Sequence, residues 1–297
     1  MEHLTGPELE QRFRDIFVNH LVLTTDAKLG LVEISKGGAY WIELWTHVLE
    51  EYGLRCQPLP VPDMREGSAS KIGVPDPRLP LATKAAAAVK ERNLQPGSYL
   101  VKYSKSCFLE PMLEYGRIRI APASSYKDSS LNLAIRDNEL EFSVNPNPRE
   151  ITLHIFSGKG GKYKGPVKPL TYSMTAKSKT DYYVYCLSTR LTPRLFLDFE
   201  ADACIVIINP EEFIDRVLCA LERQCPDWSG VGMPVSYIDP LLNRNTDIDP
   251  FTWKHFRYSY QGEFRLVWLP ETPQTNIECV HLKIDSLKDL CFLISLE

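Results

Sequence analysis

The sequence predicts an α+β protein whose β-sheet is antiparallel or mixed and whose N-terminal part is mainly helical. Three observations predict it. Strand candidates outnumber the helices between them, the β–α alternation of a doubly wound parallel sheet is missing, and helical periodicity dominates the first 95 residues. At ~150 residues per domain, a chain of 297 residues suits one large domain or two modest ones, taken as 1–95 and 96–297.

The first expected helix follows Thr5-Gly6, has Pro7 in its first turn, and carries Leu9, Phe13, Ile16, Phe17 and Leu21 as one stripe. A second runs from Ala39 to Tyr52 with Tyr40, Trp41, Leu44, Trp45, Val48 and Leu49 apolar and Gly53 as its stop. Six prolines between Pro58 and Pro80 rule out helix or central strand there and read as a linker or strap. An Ala-rich helix is expected over Leu81–Asn93, then a strand at Tyr99–Tyr103, a short helix from Phe108 to Tyr115 closed by Gly116, and a strand at Arg117–Ile120. Further strands are expected at 150–156, 182–187, 203–208, 263–269 and 278–284, with a helix from Glu211 to Arg223.

Composition narrows function. Hydrophobic residues make up 44% and the formal net charge is -4, which excludes a globally basic nucleic-acid binder and a disordered chain. No apolar run reaches the ~18 residues of a membrane span, and the first residues are too acidic for a signal peptide, so a cytoplasmic protein is expected. The eight cysteines form no C-x-x-C pair and are expected to be reduced and buried, with no metal site. The known strong signatures are missing. Ser157-Gly158-Lys159-Gly160-Gly161-Lys162 is not a phosphate loop, because Tyr163 follows the lysine and Gly165-Pro166 forbids the helix that would hold the phosphate.

What remains is an ordered set of short features. Lys102-Tyr103 sits on a strand, and Arg119 and Tyr126 follow on the next strand and its turn. Tyr183–Ser188 ends in the paired hydroxyls Ser188-Thr189, and Gln261-Gly262-Glu263 opens a later strand, where residues two apart share a face. Each has an ordinary reading. Glu263 and Arg265 can alternate outward on an edge strand, Ser188-Thr189 can end a strand, Tyr103 can be core and Tyr126 can pack its turn. Arg136 can lie on a solvated helix face, and Asp128 can cap a helix beginning at Ser129.

Taken in order, the set resembles the ADP-ribosyltransferase fold, and Lys102-Tyr103, Leu187-Ser188 and Gly262-Glu263-Phe264-Arg265 resemble a group of bacterial proteins related to it, several in toxin or phage-defence loci. The resemblance covers residues 98–285. It implies a split β-sheet with NAD as substrate in a cleft between two small sheets. It further implies Glu263 as the catalytic carboxylate, Gln261 as the residue that helps choose the acceptor, and Ser188 and Thr189 supporting the nicotinamide side. That family usually has Arg or His where this chain has Lys102-Tyr103, so Arg119 or Arg136 is the candidate cation for the pyrophosphate, and Lys102, Tyr103 and Tyr126 are the further candidate contacts to NAD. Breaking the nicotinamide glycosidic bond builds positive charge on the ribose carbon, which a carboxylate stabilises without a metal.

One local feature contradicts the acidic average. Residues 151–180 contain no Asp or Glu and carry Lys159, Lys162, Lys164, Lys168, Lys177 and Lys179 with Tyr163 and Tyr172 interleaved. Lysines for phosphates and tyrosines for stacking suit a single-stranded nucleic acid, so RNA or single-stranded DNA is the expected acceptor; the alternative is a solvated loop. The segment 226–250 is expected as a loop that shapes the acceptor side. A toxic activity would need an antitoxin or chaperone protein, with the Trp41/Trp45 helix or the proline strap as docking places. The competing class is a non-catalytic module binding nucleic acid or protein.

Overall fold

The computed structural model describes residues 1–297 apart from 61–73, 93, 158–160 and 244–248, so most of the proline strap, and Lys159, lie outside the described residues. The protein is α+β, and its main sheet has eight strands. Strands β11 (Trp228–Pro234), β14 (Glu263–Pro270), β9 (Tyr183–Ser188), β3 (Leu100–Ser104), β10 (Ala203–Ile207) and β16 (Cys291–Ser295) lie side by side in that order, each antiparallel to its neighbour. Strand β4 (Arg117–Pro122) pairs with β15 (Val280–Lys283) and also with β9. Parallel pairing among the described residues is confined to β12 (Ser236–Ile238) with β13 (Trp253–His255).

Both faces of this sheet are covered, which explains why β10 reads Ala-Cys-Ile-Val-Ile without alternation and is buried throughout. On one face lie α4 (Ser106–Tyr115) and α6 (Pro210–Gln224), and on the other α3 (Pro80–Lys90) and α5 (Pro193–Asp198). Asn209 caps α6 by accepting from the Glu212 amide, and Phe213, Val217 and Leu221, four apart, form its buried stripe. Gly116 ends α4 at φ 60 where a Cβ would stand 2.2 Å from the Ile284 carbonyl oxygen, so no other residue fits without displacing backbone.

The N-terminal helices are tied to the sheet by polar contacts as well as packing. Thr5 and Glu8 form a capping box at the start of α1 (Gly6–His20), and Leu9, Phe13 and Ile16 pack on Leu44, Val48 and Tyr52 of α2 (Gly38–Leu54). Arg12 reaches Asp239 through two hydrogen bonds of 2.9 and 2.7 Å, both side chains buried. Asn19 donates to the Arg257 carbonyl and accepts from the Tyr260 amide and the Ser259 hydroxyl. Helix α1 is thereby stapled to the segment that leads into β14.

Several expectations change. Gly53 lies inside α2, which runs to Leu54 with Arg55 as its C-cap and Cys56 following at φ 52. Asp128 starts no helix; its carboxylate accepts from the Ser130 amide in a turn. The stretch 226–250 is not all loop, because Trp228–Pro234 is an edge strand of the main sheet. All eight cysteines are free, but Cys56, Cys107 and Cys219 are exposed, the last two standing off the buried stripes of α4 and α6. Trp41 and Trp45 are partly buried, stacked on Phe256 and on Phe13 and Phe17 respectively. No helix among the described residues is long and apolar enough to cross a membrane, and no His/Cys/Asp/Glu group there is arranged to hold a metal ion.

Removing one member of a buried ion pair leaves the other charge uncompensated. Arg12→Met is expected to lower the unfolding free energy by about 3–5 kcal/mol, read from the urea midpoint, and adding Asp239→Leu is expected to recover part of that loss.

Candidate functional site

The site arises from how β9 shares one edge. Along its other edge β9 pairs with β14 from Tyr183 to Ser188. On the near edge Ser188 pairs with Val101 of β3, whereas Tyr183 and Val184 pair with Pro122 and Ala121 of β4. Two strands that meet one strand at opposite ends must diverge between those ends, and a cleft of about 430 Å³ opens there. That volume is within the ordinary range for small-molecule sites.

Seven of the residues singled out from the sequence line this cleft: Lys102, Tyr103, Arg119, Tyr126, Ser188, Gln261 and Glu263. Lys102 spans the gap, its Nζ donating to the Cys186 carbonyl at 2.8 Å and lying 4.2 Å from the centre of the Tyr185 ring. Burial lowers its pKa. The Tyr103 hydroxyl donates to the Arg190 carbonyl and accepts from the Thr192 amide, so it fixes the rim. Arg119 is exposed at the mouth, with Nη2 2.9 Å from the Cys279 sulfur. Arg136 is elsewhere: it lines a different cavity beside Arg14 and Arg257.

Ser188 and Thr189 hold the opposite strand in place. The Ser188 hydroxyl donates to the Gln261 carbonyl at 2.6 Å, and the Thr189 hydroxyl and amide donate to the Gly262 carbonyl at 3.0 and 2.7 Å. Thr189 itself does not line the cleft. Gln261 and Glu263 do not share a strand: Gln261 ends a 3-10 segment (Phe256–Gln261), and Gly262 at φ 55 makes the bend that starts β14 at Glu263. A Cβ on Gly262 would stand 2.8 Å from the Thr189 hydroxyl. The bend nevertheless brings both side chains to one cavity, with Gln261 Nε2 donating to the Ala134 carbonyl at 2.7 Å.

Glu263 is not on an edge strand and does not face solvent. Strand β14 lies between β11 and β9, and Glu263 and Arg265 are 5% and 0% exposed, because Glu139 and Lys254 cover that face. The four side chains close an alternating ring. Glu263 Oε2 meets Lys254 Nζ at 2.6 Å and Glu263 Oε1 meets Arg265 Nε at 2.6 Å. Glu139 meets Arg265 Nη2 at 2.6 Å and Lys254 at 3.5 Å. The Tyr237 hydroxyl accepts from the Glu263 amide at 2.7 Å. Burial alone would raise the Glu263 pKa, but the Arg265 and Lys254 charges outweigh it and hold the carboxyl well below the usual range. The Cys186 thiol in the same cleft is pushed up to about 12 by burial and by Glu263, so it stays protonated at neutral pH.

Comparison with protein-family models, with curated proteins and with solved structures gave no significant match. The geometry of the cleft therefore carries the functional reading.

Sequence reasoning missed Glu139 and Lys254. A signal was available at Glu263 and Arg265, since two opposite charges two apart in an otherwise apolar strand need partners if that face is covered. Their identity was not available, because Glu139 comes from a loop and Lys254 from the short strand β13, whose approach only the fold sets. Glu139 and Lys254 also line a second cavity of about 670 Å³ on the far side of the ring, between α1 and β5 (Glu141–Val144). The ring is thus a wall shared by two cavities.

The described part of the lysine-rich stretch is a ribbon of two nested antiparallel pairs. Strand β5 pairs with β8 (Met174–Lys177), and nested inside them β6 (Leu153–Ser157) pairs with β7 (Lys162–Val167). Tyr163, Lys164 and Lys168 are exposed on it, and Tyr163 stacks on His154 at 5.9 Å; Lys162 is described only as the start of β7.

Because the Glu263 pKa is depressed, its ionised form stabilises the fold above the ordinary value of 4.5, and that contribution is lost as pH falls through the folded-state pKa. Glu263→Gln is expected to cost about 3–5 kcal/mol at neutral pH. In urea titrations its gap to the wild type should narrow as pH drops below 4.5.

Proposed function

We propose that the cleft binds NAD and that the protein is an ADP-ribosyltransferase of toxin or phage-defence type, built on the split sheet of that fold and acting in the cytoplasm on RNA or single-stranded DNA. One observation carries this reading. The cavity opened by the divergence of β3 and β4 gathers Lys102, Arg119, Tyr126, Ser188, Gln261 and Glu263, which the sequence distributes over more than half the chain.

Roles follow from the contacts. Lys102 and Arg119 supply cations for the pyrophosphate, and Tyr126 supplies an aromatic wall. Glu263 uses one acceptor site on each oxygen for the ring cations, which leaves two of about four for a ribose hydroxyl. The bond from the ribose carbon to the nicotinamide nitrogen breaks, and nicotinamide leaves with the electron pair. The acceptor then bonds to that carbon and gives up its proton to water. Positive charge on the ribose carbon in between is stabilised by Glu263, whose position Ser188 and Thr189 fix through the Gln261-Gly262 backbone. Gln261, anchored at Ala134, faces the acceptor. The exposed Tyr163, Lys164 and Lys168 of the ribbon suit a nucleic-acid acceptor. Control by an antitoxin or chaperone protein belongs to the same proposal; α2 offers exposed Tyr40 and Ile42, since its tryptophans are turned inward.

A second reading, a non-catalytic binding module, is favoured by one observation: both oxygens of Glu263 already meet a cation. A single assay separates the two. Purified protein is incubated with labelled NAD and total RNA, single-stranded DNA or lysate protein. Enzyme activity predicts label transfer that Glu263→Gln reduces on the order of 10²-fold or more, in a variant shown to be folded by circular dichroism. Arg119→Ala, at the exposed mouth, is expected to raise the KM for NAD roughly tenfold with kcat little changed. No transfer to any acceptor while nucleic acid or protein still binds would establish the second reading, and no NAD binding at all would overturn the enzyme reading.

A further inference from the structure

The second cavity is a better-built site than its absence from the sequence motifs suggests. Its walls are Gln11, Arg12 and Asp15 of α1, Glu141 and Phe142 of β5, and Trp253 of β13. Phe142 and Trp253 meet edge to face at 5.8 Å, and Phe256 and Tyr172 add two more aromatic surfaces. Five carboxylates line it, those of Glu8, Asp15, Asp137, Glu139 and Glu141, against the cations of Arg12, Lys254 and Arg257. Two of those cations are already committed, Arg12 to Asp239 and Lys254 to Glu263, and two of the carboxylates, Glu139 to Arg265 and Glu8 to Thr5, which leaves Asp15, Asp137 and Glu141 against Arg257. A cavity with aromatic walls and surplus carboxylate suits a flat ligand that donates hydrogen bonds, and it repels phosphate.

The surroundings have the opposite charge. The ribbon leaves the rim of the cavity at Pro148 and returns to it at Leu170, and between residues 151 and 180 it has lysines and no acids. Lys164, Lys168, Lys177 and Lys179 are exposed. Cations outside and carboxylates with aromatic rings inside are the two halves of a site for one kind of molecule: a phosphate chain carrying amine-bearing bases.

We propose that this cavity takes a single unstacked base with an exocyclic amine, adenine, cytosine or guanine, from a single-stranded nucleic acid whose phosphates run along the lysine ribbon. The base lies against Trp253 and Phe142 and donates its amine hydrogens to Glu141. The inference rests on the proposed function only for the choice of nucleic acid as acceptor, and its test requires no NAD.

The experiment is fluorescence anisotropy on the full chain with labelled twelve-nucleotide dA, dC and dT oligomers. Thymine has no exocyclic amine, so dA and dC are expected to bind about tenfold more tightly than dT. Glu141→Gln, a partly exposed position that should not disturb folding, is expected to bring dA and dC toward the dT affinity, and Trp253→Leu to weaken all three. Lys164→Ala and Lys168→Ala are expected to weaken every oligomer alike and each to lower the salt dependence by about one ion. Equal binding of dA, dC and dT, or selectivity unchanged in Glu141→Gln, would overturn the base site, as would failure of all three to bind. Displacement of dA by an arginine-rich peptide, with dA unable to quench Trp253, would instead assign the cavity to a protein acceptor. NAD consumption with no base selectivity would leave the proposed function standing and remove this inference alone.

Discussion

The alternating ring of Glu139, Lys254, Glu263 and Arg265 is the interaction on which the rest of the site depends. Taking a charged group out of water costs several kcal/mol, and a lone buried pair often recovers no more than that. Here each carboxylate meets both cations and each cation both carboxylates, so every charge is offset twice. The ring joins a loop before β5 to the neighbouring strands β13 and β14, more than a hundred residues further along the chain. It therefore contributes Glu139 and Lys254 to the lining of both cavities and Glu263 to the first. Two further devices hold β14 in register with it: the Ser188-Thr189 clamp and the bend at Gly262.

Much of the fold was legible because it follows from local rules. The stripe of α6, the capped start of α1 and the glycine stop of α4 all have causes within a few residues, and the uninterrupted apolar run of β10 announces a strand covered on both faces. Short strands were harder. Strand β11 reads Trp-Ser-Gly-Val-Gly-Met-Pro, and its glycines lie where Trp268 and Leu266 press against it from β14, so packing from a distant strand decided it rather than propensity. The nested ribbon likewise has glycine and proline in β7, which read locally as loop.

The candidate site was legible in a different sense. Residue types in a given order drew attention to Lys102, Ser188, Gln261 and Glu263, and the fold brings them to one cleft. Their surroundings were not legible. Strand alternation placed Glu263 and Arg265 on one face but could not say whether water or Glu139 and Lys254 lay over it. Arg119 and Arg136 were equivalent on paper, and only the direction of β4 separates them.

The shared wall has a thermodynamic consequence. Glu139 and Lys254 face both cavities, so a charged or hydrogen-bonding ligand on one side acts on side chains that the other side also reads. Whatever factor occupancy of the first cavity imposes on affinity at the second, the second must impose on the first, because the two orders of filling reach the same state. Four side chains that balance one another's charge thus make the two compartments energetically one system, with no hinge or moving domain needed to connect them.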